Sequence, residues 1–446
     1  MPETEQSAPE PIDLLTECSD ILRGNDHGKY SVPSPSVYAH QWLWDSAFAA
    51  IGWAHLDVTR AQEEIFSILK GQWHNGMIPH MIFSDEPRYA GDRNMWRSSL
   101  SRYSPEHVAT SGITQPPVLA EAVQRIGAQL KKPERIIFYK KVLPALVRHH
   151  QWLYEERDPH SEGLVFQIHP YETGLDNTPP WMNELHQHAR PWWISAVEKL
   201  PLNWFVNIIR RDTRTLPPEQ RMENVDALLS WNIIRRLRRK HYDINKIMHG
   251  SVFLIEDVSF NALFVRNNEI LKSIAATARI KLPEALLENM QLTQAALETL
   301  YDEKYGMYFS RDFTSHDLLE EPTVAGLLPL YAGTISQERA QHLVQILGNH
   351  HAFNLKHPVP SVPRTSRMFN PNRYWQGPVW INMNWLIIDG LERYGFTLEA
   401  ENLRAKTIAI VQEVGVWEYY NPLTGEGLGS PGFSWTAALT IDLLKR

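Results

Sequence analysis

One cysteine, Cys18, occurs in 446 residues. That rules out an intrachain disulfide and a cysteine-based zinc site, and it suits a reducing cytoplasm. Basic charge is not in excess either. Lys and Arg number 44 against 51 Asp and Glu, a net charge of −7. This balance argues against a surface built mainly for nucleic acid, yet leaves room for a local basic pocket that holds a small anion. The opening residues, MPETEQSAPEP, have no basic start and no apolar core, so no signal peptide is read there. No run approaches the roughly 18 uninterrupted apolar residues of a membrane span. Long alternating strands are scarce, and no low-complexity linker divides the chain. At roughly 150 residues per domain the length allows three domains, but one large toroid fits as well. We read residues 1–22 as an N-terminal tail and lead-in and 23–446 as a single domain.

Aromatic residues are abundant: 16 Trp, 16 Tyr and 15 Phe. Flat rings with a polar handle suit the weakly hydrated faces of sugars. A Trp-rich core is the other reading of the same count.

Helical periodicity begins where Trp44, Phe48 and Ile51 fall at i, i+4 and i+7. Val58, Ala61, Ile65 and Leu69 repeat it, and Gly71 supplies a stop. Leu119, Val123, Ile126 and Leu130 mark a further helix. Ile136, Tyr139, Leu143 and Leu146 mark the next, with a kink expected at Pro144. Helices continue through about 218–240, 257–277, 283–301, 322–332, 336–348, 377–394, 397–414 and 433–445, so about a dozen are expected, many in adjacent pairs. A weak internal repeat accompanies them, in which an amphipathic helix ends in aromatics, then Gly, then a short apolar run. It occurs at Trp73–Pro79, at 153–169, at 300–309 and loosely at 417–428. A recurring helical pair plus turn points to a closed or stacked array, and hence to an all-α toroid.

Three carboxyl groups sit in aromatic settings. Asp176 lies in a Gly- and Pro-containing loop between Leu175 and Trp181. Partial desolvation there raises a carboxyl pKa, as a general acid requires; an Asx turn is the structural alternative. Glu418 is flanked by Trp417, Tyr419 and Tyr420. It reads as a base for water, or as a rim carboxylate paired with an arginine. Asp45 follows Trp42 and Trp44 near a helix start, where it either binds a pair of sugar hydroxyls or serves as an N-terminal charge. Two carboxyls on opposite faces of a sugar carry out glycoside hydrolysis.

Four motifs, in order, resemble glycoside hydrolase family 63. They are Tyr38 with Gln41-Trp42-Leu43-Trp44-Asp45-Ser46; Gly174-Leu175-Asp176-Asn177; Arg373-Tyr374-Trp375-Gln376-Gly377-Pro378-Val379-Trp380; and Trp417-Glu418-Tyr419-Tyr420-Asn421-Pro422 with the closing Phe433-Ser434-Trp435. The resemblance spans roughly residues 23–445 and is to the short bacterial branch, the mannosylglycerate and glucosylglycerate hydrolases. It implies an (α/α)6 toroid with long active-site loops and an inverting α-glycosidase without metal or other cofactor. It implies Asp176 as general acid and Glu418 as general base. Tyr38, Trp42, Asp45, Tyr374, Trp375, Gln376, Trp380 and Trp435 would line the sugar subsite, with Gln115 toward the acceptor. Arg210-Arg211-Asp212-Thr213 resembles a family basic patch, and Arg211 would meet a glycerate carboxylate through its fork. The implied reaction splits glucosylglycerate or mannosylglycerate into hexose and glycerate. One departure concerns the glycerate half: no Tyr occurs from 172 to 241, where the family carries one.

The other readings are a family relative acting on a neutral disaccharide or oligosaccharide, a toroidal sugar epimerase or isomerase using histidine pairs, and a sugar-binding scaffold without turnover. His74, His80 and His107 match no metal-ligand spacing and read as loop residues around a pocket. Arg235-Arg236-Leu237-Arg238-Arg239-Lys240 reads as a solvated helix face rather than a partner site. The irregular stretch 84–112 reads as a mobile flap. A cytoplasmic location is expected, with no nucleic-acid or membrane partner. Helical toroids often pair, so a homo-oligomer is compatible with the sequence.

Overall fold

The computed structural model describes residues 13–188, 190–199, 206–207, 210 and 212–446. Among the described residues, twelve of the helices alternate along the chain between an outer and an inner position. They are α1 (Leu14–Gly24), α2 (Leu43–Leu56), α3 (Val58–Leu69), α4 (Leu119–Gln129), α5 (Lys132–Arg157), α6 (Val258–Ala278), α7 (Glu284–Leu297), α8 (Pro329–Ala332), α9 (Gln337–Leu347), α10 (Ile381–Arg393), α11 (Thr397–Val414) and α12 (Ser434–Lys445). The even-numbered helices form a closed ring. Each packs on the next, α2 on α4, α4 on α6, α6 on α8, α8 on α10 and α10 on α12, and α12 returns to α2. The architecture is a helical toroid.

Composition explains which helix goes inside. Twelve of the fourteen residues of α2 and ten of the twelve of α12 are buried, and both are apolar or small nearly all round. A helix of that kind is stable only when surrounded. By contrast α3 buries one face (Ala61, Glu64, Ile65, Ile68), and Asp57 caps it by accepting from the amides of Thr59 and Arg60. α5 runs through Pro144 as one 26-residue helix. The stretch read as a tail and lead-in contains α1, which packs on α12.

The sequence repeat is the return path from an outer helix to the next inner one. Its turn glycines Gly76, Gly163, Gly306 and Gly425 all have positive φ, between 63° and 104°, after α3, α5, α7 and α11 respectively. Only glycine takes that backbone without steric cost, which is why the residue recurs. The strands are short antiparallel pairs, such as Tyr301–Asp302 with Met307–Tyr308 and Trp417–Tyr420 with Gly427–Pro431. Among the described residues no helix is long and apolar enough to cross a membrane.

The two ends of the ring differ. At the C-terminal ends of the inner helices, Arg125 reaches Glu121 and Asp389 at 2.7 Å each and lies 5.0 Å above the Trp385 ring, while Arg446 reaches Asp442 at 2.9 Å. At the opposite end, long loops between the helices build a cavity.

Candidate active site

The cavity has a volume of about 780 Å³. Trp42 and Asp45 reach it from the start of α2, and Tyr38 from the loop before it. Buried Glu64 of α3 fixes that loop: it accepts from Ser31 N at 2.8 Å, Ser46 Oγ at 2.6 Å and Gln41 Nε2 at 3.3 Å, with Arg60 as its counter-ion at 2.8 Å. Gln115 lines the cavity from the segment leading into α4, and its Oε1 accepts from Trp44 N at 3.4 Å.

Asp176 stands in the loop between the turn Pro170–Thr173 and the helix Pro179–His188. Glu172 anchors that loop at full burial. It accepts from Ile168 N at 2.7 Å and Thr114 N at 3.1 Å, and Arg157 binds both of its oxygens at 2.8 and 3.0 Å. The same carboxylate thus ties the Asp176 loop to the Gln115 segment. The Tyr374 hydroxyl donates to Asp176 Oδ2 at 3.2 Å. Burial pushes the Asp176 carboxyl up to about 7, and the negative charge of Glu418 adds to the rise; the Tyr374 hydrogen bond and the Arg221 charge oppose it. Among its alternatives this group therefore has the protonation of a general acid near neutrality.

Glu418 projects from the strand Trp417–Tyr420, and the pairing register shifts between Trp417 and Tyr419, at its own position. Bulges of this kind re-aim a side chain and are enriched beside active sites. Glu418 is buried on the cavity wall, not on a rim, although it does pair with an arginine. Its Oε1 accepts from the Tyr38 hydroxyl at 2.8 Å and from Arg221 Nη1 at 3.1 Å, and its Oε2 from Ser430 N at 3.0 Å. Gly429, with φ +71°, lies against it: a Cβ there would stand 2.4 Å from Glu418 Oε2. Gly429→Ala is therefore expected to push the carboxylate off position and lower kcat by about 10²-fold, the cost of a misplacement near 1 Å. Steady-state kinetics on a variant with unchanged circular dichroism checks this.

Asp45 completes the group. It is 5% exposed, and its carboxyl is driven well above the ordinary range, mainly by burial and further by the charges of Glu418 and Asp176. The N-cap position of α2 belongs to Trp42, and Asp45 faces the cavity.

Nine expected residues line one cavity: Tyr38, Trp42, Asp45, Gln115, Asp176, Tyr374, Trp375, Glu418 and Trp435. Two do not. Trp380 stacks behind Trp375 with ring centroids 3.8 Å apart and planes 4° apart, and its Nε1 donates to Tyr374 O at 3.2 Å. Gln376 turns away and donates to Asn177 O at 3.0 Å. Both brace the wall from behind, because the Gly377-Pro378 turn into α10 folds one Trp onto the other. Arg211 lies outside the described residues. Its neighbour Arg210 lines the cavity and is held by Asp212 at 2.6 Å.

Arg221, Trp44 and Arg214 also line the cavity without having been singled out. A helix was expected from about 218, but it runs over Asn224–Arg239, and Arg221 lies before it in the stretch Leu216-Pro217-Pro218-Glu219-Gln220-Arg221, whose only regular element is the short turn Pro218–Gln220. The one sequence signal was the prospect of an arginine partner for Glu418, which did not say which arginine. In the basic run, Arg238 donates to Met95 O at 3.1 Å and Arg235 lies over the Trp231 ring at 4.7 Å. The helix Ala90–Trp96, inside the expected flap, is tied down by Arg238, by the Tyr242 hydroxyl on Trp96 O and by His40 on Asp92. Buried His80 lies edge-on to Trp42 at 4.6 Å, and desolvation keeps its pKa well below the usual value, so it backs the wall as a neutral ring. Among the described residues no cluster of three or more His, Cys, Asp or Glu is arranged to hold a metal ion.

A toroid of paired helices opening on an aromatic cavity with carboxyl groups in its wall is the build of a glycoside hydrolase. The sequence matches the mannosylglycerate hydrolase MGH1-like glycoside hydrolase domain over residues 38–436. It is 38% identical to a mannosylglycerate hydrolase of Thermus thermophilus, covering 95% of this chain and 98% of that one. It is 32% identical to a glucosylglycerate hydrolase of Mycolicibacterium hassiacum, covering 97% and 98%. The crystal structure of the family 63 mannosylglycerate hydrolase from Thermus thermophilus, in complex with Tris and D-glycerate, superposes with a TM-score of 0.87 over 97% of this chain and all of that one. The chain belongs to the MGH1-like glycoside hydrolases of family 63. A neutral trehalase from Saccharomyces cerevisiae, at 17% identity and a TM-score of 0.60, shares the fold.

Proposed function

We propose that the protein hydrolyses the α-glycosidic bond of a hexosyl glycerate, glucosylglycerate or mannosylglycerate, with inversion. The observation that carries this is the sharing of one aromatic cavity by Asp176 and Glu418. In the reaction Asp176 protonates the glycosidic oxygen as glycerate leaves. Glu418 takes a proton from a water that attacks the anomeric carbon from the opposite face. Asp45 binds sugar hydroxyls between Trp42 and Trp435, and Trp375 offers a flat apolar surface to the ring. Arginines at the cavity, Arg210 and Arg214 among them, suit a substrate that carries a carboxylate. Gln115, also in the lining, is assigned to the acceptor side. We take 23–446 as one catalytic domain, to which α1, lying almost wholly before residue 23, adds an outer helix packed on α12, and we place it in the cytoplasm without a cofactor. Cys18, buried with its thiol pushed up to about 12, fits that setting as an inert core residue.

Proton NMR of the products from glucosylglycerate, mannosylglycerate and a panel of α-linked disaccharides tests the proposal. The expected result is turnover of a glycosyl glycerate with the β-anomer of the hexose released first. Initial α-anomer would refute inversion, and turnover confined to neutral disaccharides would refute the acid aglycone.

A further inference from the structure

Arg221 touches more of the cavity's polar groups than any substrate-facing reading of it requires. Its Nη1 lies 3.1 and 3.3 Å from the two oxygens of Glu418. Its Nη2 donates to the Tyr38 hydroxyl at 2.6 Å, and that hydroxyl in turn donates to Glu418. Its Nε faces Asp212 Oδ2 at 3.4 Å, which fixes the plane of the fork from behind. The flat face of the guanidinium lies 4.2 Å from the centroid of the Tyr374 ring, and Tyr374 is the donor to Asp176. The backbone is held too: Gly429 N donates to the side chain of Gln220, and the Tyr374 and Tyr419 groups meet the Gln220 carbonyl. Arg221 itself is 5% exposed.

Resting on the hydrolase reading above, we propose that Arg221 is a positioning residue that sets Glu418 directly and Asp176 through Tyr374. A lysine in its place would bring the charge as a point but not the planar fork, so the two functions of the side chain are separable. The fork defines where the Glu418 carboxylate lies. It also fills acceptor sites: with Tyr38 and Ser430 N, the Nη1 contacts occupy the roughly four lone-pair positions of the carboxylate. The Arg221 contacts, at 3.1 and 3.3 Å, are the longest of these. They are the ones that yield when the attacking water needs a lone pair. Around Asp176 the titratable and charged neighbours are Tyr171, Tyr374, Arg221, Glu418 and Asp45. Arg221 is the cation of that set, and its charge lowers the Asp176 pKa against the upward push of burial.

The test compares Arg221→Gln and Arg221→Lys with wild type, on whichever glycoside the wild type turns over and on a neutral aryl glycoside of the same sugar. Arg221→Gln is expected to lower kcat about 10²-fold on both substrates with KM little changed, and to move the alkaline limb of the kcat profile upward. Arg221→Lys is expected to return that limb to the wild-type position while leaving kcat low. Free guanidinium is expected to restore part of the Arg221→Gln rate. Three results would overturn the proposal: an alkaline limb unmoved in Arg221→Gln, a kcat within about threefold of wild type, or a loss seen only in KM for the anionic substrate. The last would make Arg221 a ligand of the substrate carboxylate. If Arg221→Gln does not fold, the Lys variant decides alone, since full retention of kcat there would remove the fork from the account. Failure of the substrate assignment shows instead in the wild-type panel, without reference to position 221.

Discussion

Glu418→Gln is expected to lower kcat by between about 10² and 10⁴-fold, the range that a positioned general base contributes. The amide keeps the volume of the side chain and the hydrogen bond from Ser430 N, so the hairpin remains folded. It loses the capacity to take a proton from water. It also leaves Arg221 without its anion in a buried place, so a moderate fall in melting temperature is expected alongside. The diagnostic is rescue. With added azide, which attacks the anomeric carbon without giving up a proton, or with the β-glycosyl fluoride together with glycerate as the acceptor that displaces fluoride, a variant that lacks only its base turns over. If Glu418→Gln retains kcat within about tenfold, another group activates the water.

The second large effect concerns Asp176→Asn. An acid that protonates the leaving oxygen matters in proportion to how poor the leaving group is. For a glycoside of glycerate, an alkoxide leaving group, the expected loss of kcat is again about 10² to 10⁴-fold. For a glycoside of a nitrophenol or for a glycosyl fluoride it is expected to be small. Similar losses on both kinds of substrate would remove Asp176 from the acid role. The pH dependence has a definite sign. The acid must carry its proton, and the Asp176 carboxyl is raised to about 7 mainly by desolvation. Activity is therefore expected to fall as pH rises through about 7, and the Asn variant is expected to lose that alkaline limb. Asp45 is also raised, so the variant rather than the wild-type profile alone makes the assignment.

How far the sequence carried this picture depends on the kind of signal involved. Helices were legible because inner helices are apolar all round and outer ones in a stripe, and both patterns survive without coordinates. The glycines after α3, α5, α7 and α11 were legible as a repeat because a positive φ admits little else. Asp176, Glu418 and Asp45 stood out because carboxylates are rare among aromatics, and the family resemblance assigned them roles. What failed to show was depth. Trp375 and Trp380 are five residues apart in one motif, yet one faces the cavity and the other is stacked behind it. No periodicity distinguishes them, since the turn between them has none. Arg221 was invisible for a related reason. Its partners Tyr38, Glu418 and Tyr374 come from three distant segments, and the local stretch around it is proline-rich and irregular. Arg211 was chosen from the same basic patch in which Arg210 lines the cavity.

The closed ring has a kinetic consequence. The hydrogen bond between Tyr38 and Glu418 joins positions 380 residues apart, and Ser434 N donates to Pro33 O at 2.9 Å where α12 returns beside α2. Contacts of such long sequence separation form late, because their loop entropy is lost before they return any energy. The site therefore has no partial form. A chain that has folded most of its helices but not closed the circle holds Asp176 and Glu418 on unconnected segments, so hydrolysis should emerge in one step at the end of folding and vanish in one step when the ring opens.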